Sequence, residues 1–305
     1  SLSPFLPVVS GVLQGSILGP TMFIIYVNDL PSAVNNNFAQ SCMYADDLAV
    51  QLSVKDSALI DRIISDCNYI VNDWSSANIL CLNQEKTQTL EFSLRPNVVL
   101  DSVNFLGVSI QFNVKWNVHV DFVCKKVSRG IFLLRKLKCI VTVDVLIAVY
   151  YAHIQSHILY GIFVWGDDSH VKKLLILQKR AIRVMCGVHS KCHCKPLFKK
   201  LNVLTVTSLF ILECLMYVKV NLNSLPTNNV VHDYNTRHND HLRLNQCNYQ
   251  TTIRSPYEVS IKLYNMLPLD LKSLNVTQFK NQVKDMLADL SVYTVDEFKN
   301  HCREL

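Results

Sequence analysis

Apolar and polar positions change period along this chain, and the change predicts its elements. Between Asp56 and Trp74, the residues Leu59, Ile60, Ile63, Ile64, Cys67, Ile70, Val71 and Trp74 recur at helical spacing. That stripe predicts an amphipathic helix packed on a core, with Asp56 as its cap. Two short β-type runs, Ser41 to Tyr44 and Leu48 to Leu52, flank Ala45, Asp46 and Asp47 and predict a tight hairpin with these three at its tip. Residues 5–10 and Phe105 to Ile110 read as further strands. Beyond residue 115 the helical period takes over. Trp116 to Lys138 places Val120, Val123, Val127, Ile131, Leu134 and Leu137 on one face, and Val171 to Cys186, Val206 to Val220 and Val276 to Leu290 predict further helices. Leu225 to Ser255 is polar and loop-like, Leu290 is followed by a tail, and no internal repeat is present.

Val145 to Trp165 is apolar and long enough to span a membrane. Its centre holds His153, Gln155, Ser156 and His157, and polar groups are costly there. A buried helix pair is therefore expected, and no membrane partner. With 305 residues, half of them hydrophobic, the chain can bury a sizeable core in two domains or one large one. It opens at Ser1, already in an apolar run, and reads as a fragment lacking its N-terminal part. Eleven scattered cysteines without a signal peptide point to reduced thiols in an intracellular protein, nuclear or cytoplasmic.

The net charge of +6 is unevenly spread. Residues 1–114 carry ten carboxylates against four Lys and Arg, whereas residues 115–200 carry sixteen Lys and Arg against four carboxylates. An acidic part followed by a basic one suits a metal site and a polyanion-binding surface, or else ordinary solvated helix faces.

The first candidate chemistry is the pair Asp46–Asp47. Two adjacent carboxylates between apolar strands repel each other unless a cation sits between them, and Mg²⁺ takes such oxygens. An acidic surface turn is the plainer alternative. Upstream, Gly11-Val12-Leu13-Gln14-Gly15-Ser16-Ile17-Leu18-Gly19-Pro20 places three glycines within nine residues, a loop where backbone approaches something closely, and Pro20 suits the start of a helix running to Leu30.

Together, the glycine loop and Tyr44-Ala45-Asp46-Asp47 resemble the reverse transcriptases of non-LTR, LINE-type retrotransposons, most closely the jockey-like group. The loop is similar to a palm motif written G-V-P-Q-G-S-x-L-G-P, with Leu13 in place of proline, and the tetrapeptide is similar to the catalytic Y/F-A-D-D box. Trp74 to Gln88 resembles W-x-x-x-N-x-L-x-L-N-x-x-K-T, Phe105-Leu106-Gly107 the motif lining the primer end, and Trp116 and His119 the start of the thumb. Later stretches are similar to the region after the polymerase: Leu177 to Arg183, His232 to Arg237, and Tyr264 to Pro268.

The resemblance implies an α+β fold. A partial polymerase palm, an antiparallel sheet with helices, would cover residues 1–115. A thumb-like basic helix would cover 116–140, and a mostly helical C-terminal region 141–305. It implies RNA-directed DNA synthesis from an RNA template, a DNA primer and dNTPs by two-metal nucleotidyl transfer, with Mg²⁺ or Mn²⁺ as cofactor. Asp46 and Asp47 would be metal ligands. Lys86 would meet the incoming phosphates, its alternative being a solvated loop lysine. Gln14, Gly15 and Tyr44 would contact nucleotide or template, Phe105, Leu106 and Gly107 the primer end, and Lys125, Lys126 and Arg129 the nucleic-acid backbone.

The family's further metal-binding Asp lies upstream of its glycine loop, whereas here no acidic residue precedes Asp29. The alternative reading is therefore a degenerate or repurposed retroelement remnant, catalytically inactive and at most binding nucleic acid. Cys186, His189, Cys192, His193 and Cys194 are zinc-type ligands at poor spacing, so zinc is not expected, and His119 is expected to pack rather than to bind metal. The sequence sets no oligomeric state.

Overall fold

A computed structural model describes residues 15–55, 57–92, 101–228 and 241–304. The strand expected over residues 5–10, the cap Asp56 and the segment His232 to Arg237 lie outside the described residues. The fold is α+β, as the resemblance implies, and the chain divides into two compact units, Ser1–Gln88 and Thr89–Leu305.

In the first unit α1 (Gly19–Val27) and α2 (Leu30–Val34) precede a hairpin of β1 (Ala39–Tyr44) and β2 (Asp47–Leu52), and α3 (Ile60–Ala77) follows. Pro20 stands in the first turn of α1 and Pro31 in the first turn of α2, where the missing N–H costs nothing. The strands pair antiparallel from Ala39 with Leu52 to Tyr44 with Asp47. A lone hairpin is marginal in water, so its stability comes from cover. One face, with Met43, Leu48 and Val50, packs on Leu30, Val34 and Val71, joined by Trp74. Asn35 fixes the hairpin's entry by accepting a hydrogen bond from the Ser41 N–H at 2.6 Å.

The second unit opens with a second hairpin, β3 (Ser102–Phe105) and β4 (Val108–Gln111), and continues as helices. The run expected as one strand is thus folded in two. Leu106 and Gly107 both take positive φ, 47° and 77°, the backbone of a two-residue hairpin turn. The two hairpins form separate two-stranded sheets.

The helices that follow are α4 (Asn117–Leu137), α5 (Val143–Tyr150), α6 (Ser156–Leu159), α7 (Ile162–Trp165), α8 (Val171–Cys186), α9 (Lys195–Leu201) and α10 (Val206–Val220). After the loop come α11 (Gln250–Ile253), α12 (Pro256–Asn265), α13 (Leu269–Ser273), α14 (Val276–Leu290) and α15 (Val295–Glu304), so the expected tail is helical. Helix α4 buries Val120, Val123, Val127, Ile131 and Leu134, the expected stripe. Helix α10 is apolar around its girth and lies in the core, flanked by α12 and α14. Buried Gln178 knits this interior. Its amide donates to the Tyr150 hydroxyl (2.8 Å) and the Leu204 carbonyl (2.9 Å), and its oxygen accepts from the Val206 N–H (2.9 Å).

A π turn, Tyr151–Gln155, joins α5 to α6 in one helix, Val143–Leu159. The reason is legible in its core positions. Leu146, Tyr150, Ile154 and Ile158 recur every four residues. At about 100° per residue a regular helix would rotate that row off one face by roughly 40° per step, and a wider turn reduces the drift. Among the described residues no single helix is long and apolar enough to cross a membrane. The pair α9 and α10 passes by length and composition together, bent by 59°.

Gly130 sets how closely α4 meets the π turn. A Cβ there would come within 2.6 Å of the Ile154 Cγ1 and 2.8 Å of the His153 carbonyl oxygen. Gly130→Ala is therefore expected to destabilise this unit by about 1–3 kcal/mol, although alanine is intrinsically the better helix former. Urea unfolding of the chain measures this, and an increase in stability would mean that the two helices part freely.

Candidate active site

The hairpin tip gathers three of the residues singled out from sequence. Tyr44 and Asp47 face each other as the closing pair, and Ala45 and Asp46 form the turn. Ala45 is held at φ 53°, a left-handed backbone that an L residue adopts at a cost. Because side chains alternate along a strand, Leu48 and Val50 point to the core and Asp47 points away from it. Tyr44, Asp46 and Asp47 are all exposed, and among the described residues neither carboxylate is ion-paired.

Two unpaired carboxylates are hard oxygen donors, the kind Mg²⁺ accepts beside waters and substrate phosphates. The donor set fits such an ion in kind. No group of three His, Cys, Asp or Glu able to hold a metal is found among the described residues, and Cys192 and Cys194 lie next to backbone carbonyls instead.

Gly15 precedes α1 with φ 86°, a conformation that favours glycine, and the Ser16 hydroxyl accepts the Gly19 N–H at 3.0 Å. Gln14 lies outside the described residues. The far end of α1 is tied to α3. The Tyr26 hydroxyl donates to the Asn78 carbonyl at 2.5 Å, and the Trp74 indole N–H donates to Asp29 at 3.3 Å. Lys86 is exposed on a turn closed by Asn83, which accepts the Lys86 N–H at 3.2 Å.

In the second unit Phe105, Leu106 and Gly107 form the bend of the β3–β4 hairpin. The Tyr160 hydroxyl donates to the Leu106 carbonyl at 2.5 Å, and the Tyr160 ring lies beside Gly107. His119 anchors the same hairpin. Its Nδ1 accepts the Ser109 N–H at 3.3 Å, its ring lies 5.4 Å from that of Trp165, and burial holds it below the ordinary imidazole range. It is a neutral packing residue, as expected. Lys125 and Arg129 are exposed on α4, and Lys126 is half-buried with its ammonium 5.3 Å from the Phe122 ring.

Residues 4–110 match the family described as reverse transcriptase (RNA-dependent DNA polymerase). This matched segment includes the glycine loop, the carboxylate hairpin, Lys86 and the β3–β4 hairpin up to Ile110. Residues 4–110 belong to the reverse transcriptase family.

The curated relatives agree. The probable RNA-directed DNA polymerase from transposon X-element of Drosophila melanogaster is 24% identical over 219 residues, 65% of this chain and 24% of that protein. The one from transposon BS of the same fly is 26% identical over 221 residues, again 65% and 24%. The RNA-directed DNA polymerase from mobile element jockey is 24% identical over 204 residues, 59% of this chain and 22% of that protein. The chain thus spans about a quarter of the length of the curated relatives it matches. No solved structure matches it.

Proposed function

We propose that this chain supplies the carboxylate hairpin of an RNA-directed DNA polymerase acting by two-metal nucleotidyl transfer. The observation that carries the reading is the tip Tyr44-Ala45-Asp46-Asp47. Two exposed, unpaired carboxylates stand on a strained turn inside the segment that matches the reverse transcriptase family. The reaction forms a bond between the primer 3′-oxygen and the α-phosphorus of a dNTP and releases pyrophosphate. Bound Mg²⁺ or Mn²⁺ supplies charge to the attacking and leaving oxygens.

In this reading Asp46 and Asp47 hold the ion, Asp47 more weakly. Lys86 neutralises the triphosphate or gives its proton to the departing pyrophosphate. Gln14, Gly15 and Tyr44 position template and nucleotide. Phe105, Leu106 and Gly107 meet the primer end, and Lys125, Lys126 and Arg129 track the RNA–DNA duplex through its phosphates. Residues 1–115 act as palm and 116–140 as thumb.

Mn²⁺ line broadening in a nuclear magnetic resonance titration tests the hairpin directly. Broadening is expected first at Tyr44 to Leu48, and Asp46→Asn should remove it. Broadening spread evenly over all exposed carboxylates would reject the site.

A second reading has its own support. No acidic residue precedes Asp29, and no third carboxylate joins the pair among the described residues. We infer that these 305 residues alone do not extend a primer. Templated extension above an Asp46→Ala control, with primer, RNA template, dNTPs and Mg²⁺, would eliminate the inactive-remnant reading.

A further inference from the structure

Between helix α4 and the helix Val143–Leu159 lies an open cavity of about 310 Å³ lined by Lys126, Arg129, Gly130, Leu133, His153 and His157. Four of these six residues are cationic or become so on protonation. No carboxylate lines the cavity, and none of the four is ion-paired among the described residues. Helices α8 and α10 also pack on the Val143–Leu159 helix but put no residue into the cavity wall.

The backbone builds this arrangement. The two histidines are four residues apart, one helical turn, so they share a face. His153 lies within the π turn, a departure from regular helix that recurs at functional sites. Gly130 lets α4 close against the His153 carbonyl, which brings Lys126 and Arg129 to the same cavity. Burial, then Lys126, then His153 hold His157 below the ordinary imidazole range. Like charges gathered without a counter-charge repel one another, and an anion placed among them removes that cost.

We propose that Lys126, Arg129, His153 and His157 form a pocket for one backbone phosphate of a nucleic-acid strand. The choice of nucleic acid rests on the reading of α4 as a duplex-tracking helix. Past the pocket the same helix carries exposed Arg135 and Lys136, and exposed Lys138 follows its end, which adds cations for a long polyanion. Binding takes up protons on the imidazoles. Affinity therefore rises as pH falls.

Histidine titration by nuclear magnetic resonance tests the pocket with sodium sulfate as probe, against sodium chloride at matched ionic strength. Sulfate is expected to raise the midpoints of His153 and His157 and leave that of buried His119 unmoved. Equal midpoints in the two salts overturn the pocket. For the occupant, binding of a labelled RNA–DNA duplex is expected to tighten about tenfold from pH 7.5 to 5.5. His153→Asn with His157→Asn should lose that gain. Duplex binding that is the same at both pH values, and the same in the double variant, overturns the pocket and leaves the duplex reading of α4 standing. Midpoints raised by sulfate without any duplex binding overturn the nucleic-acid occupant and that reading of α4 together.

Discussion

Changing Lys125, Lys126 and Arg129 together to alanine is expected to weaken binding of an RNA–DNA duplex by roughly two to three orders of magnitude near 0.1 M salt. The estimate follows from counterion release. Each phosphate neutralised contributes a slope of about −0.9 in log affinity against log salt, hence nearly a factor of ten at that concentration. Three lost contacts also flatten the slope by nearly three. The change leaves the buried stripe of α4 intact, because Lys125 and Arg129 are exposed and only Lys126 is half-buried, its ammonium over the Phe122 ring. Fluorescence anisotropy across a salt series checks both numbers. Affinity within about threefold of the parent, at an unchanged slope, would mean that these cations only solvate the helix.

The parts of the fold that could be read from sequence are those where one local period decides the outcome. The stripe of α4 and the bounds of α8, α10 and α14 coincide with their apolar periods, since each buries one continuous face or lies wholly inside. The carboxylate hairpin was legible from the apolar runs that flank it, although Asp47, expected at the tip, instead opens β2 opposite Tyr44.

Where the period misled, a backbone event had replaced it. Phe105 to Ile110 is mostly apolar, yet Leu106 and Gly107 turn the chain back, held by a hydroxyl contributed 54 residues later by Tyr160. Helix α15 was missed because its apolar anchors are sparse. Phe298 and Cys302 are buried four residues apart among charged positions. The basic cavity left a faint mark in the sequence. His153 and His157 stood out as polar groups inside an apolar run, but only the approach of α4 at Gly130 joins them to Lys126 and Arg129. The place of Tyr44, Ala45 and Asp46 on the hairpin was legible. The fine arrangement of Lys86 was not, because a turn closed by Asn83 carries no apolar period to fix it.

Trp165→Ala is expected to cost the second unit about 3–5 kcal/mol, the usual range for emptying a buried aromatic site. That is a large share of the roughly 5–15 kcal/mol that holds a domain folded. Trp165 is fully buried and among the largest buried side chains. Its indole N–H donates to the Tyr160 carbonyl at 3.1 Å, and its ring lies against the His119 imidazole. Tyr160 in turn holds the Leu106 carbonyl, and His119 holds the Ser109 N–H, so both supports of the β3–β4 hairpin lead to this one side chain. Removing it strands a carbonyl and loosens the bend at Phe105, Leu106 and Gly107 along with the core. Trp165→Phe keeps most of the volume and loses mainly the hydrogen bond, for about 1 kcal/mol. Urea unfolding should therefore rank wild type, Phe and Ala in falling order. Hydrogen exchange at Val108 to Gln111 should quicken in the alanine variant before exchange at α14 does. Equal protection of the two segments would mean that the hairpin is held by its own turn, and that Trp165 serves the helical core alone.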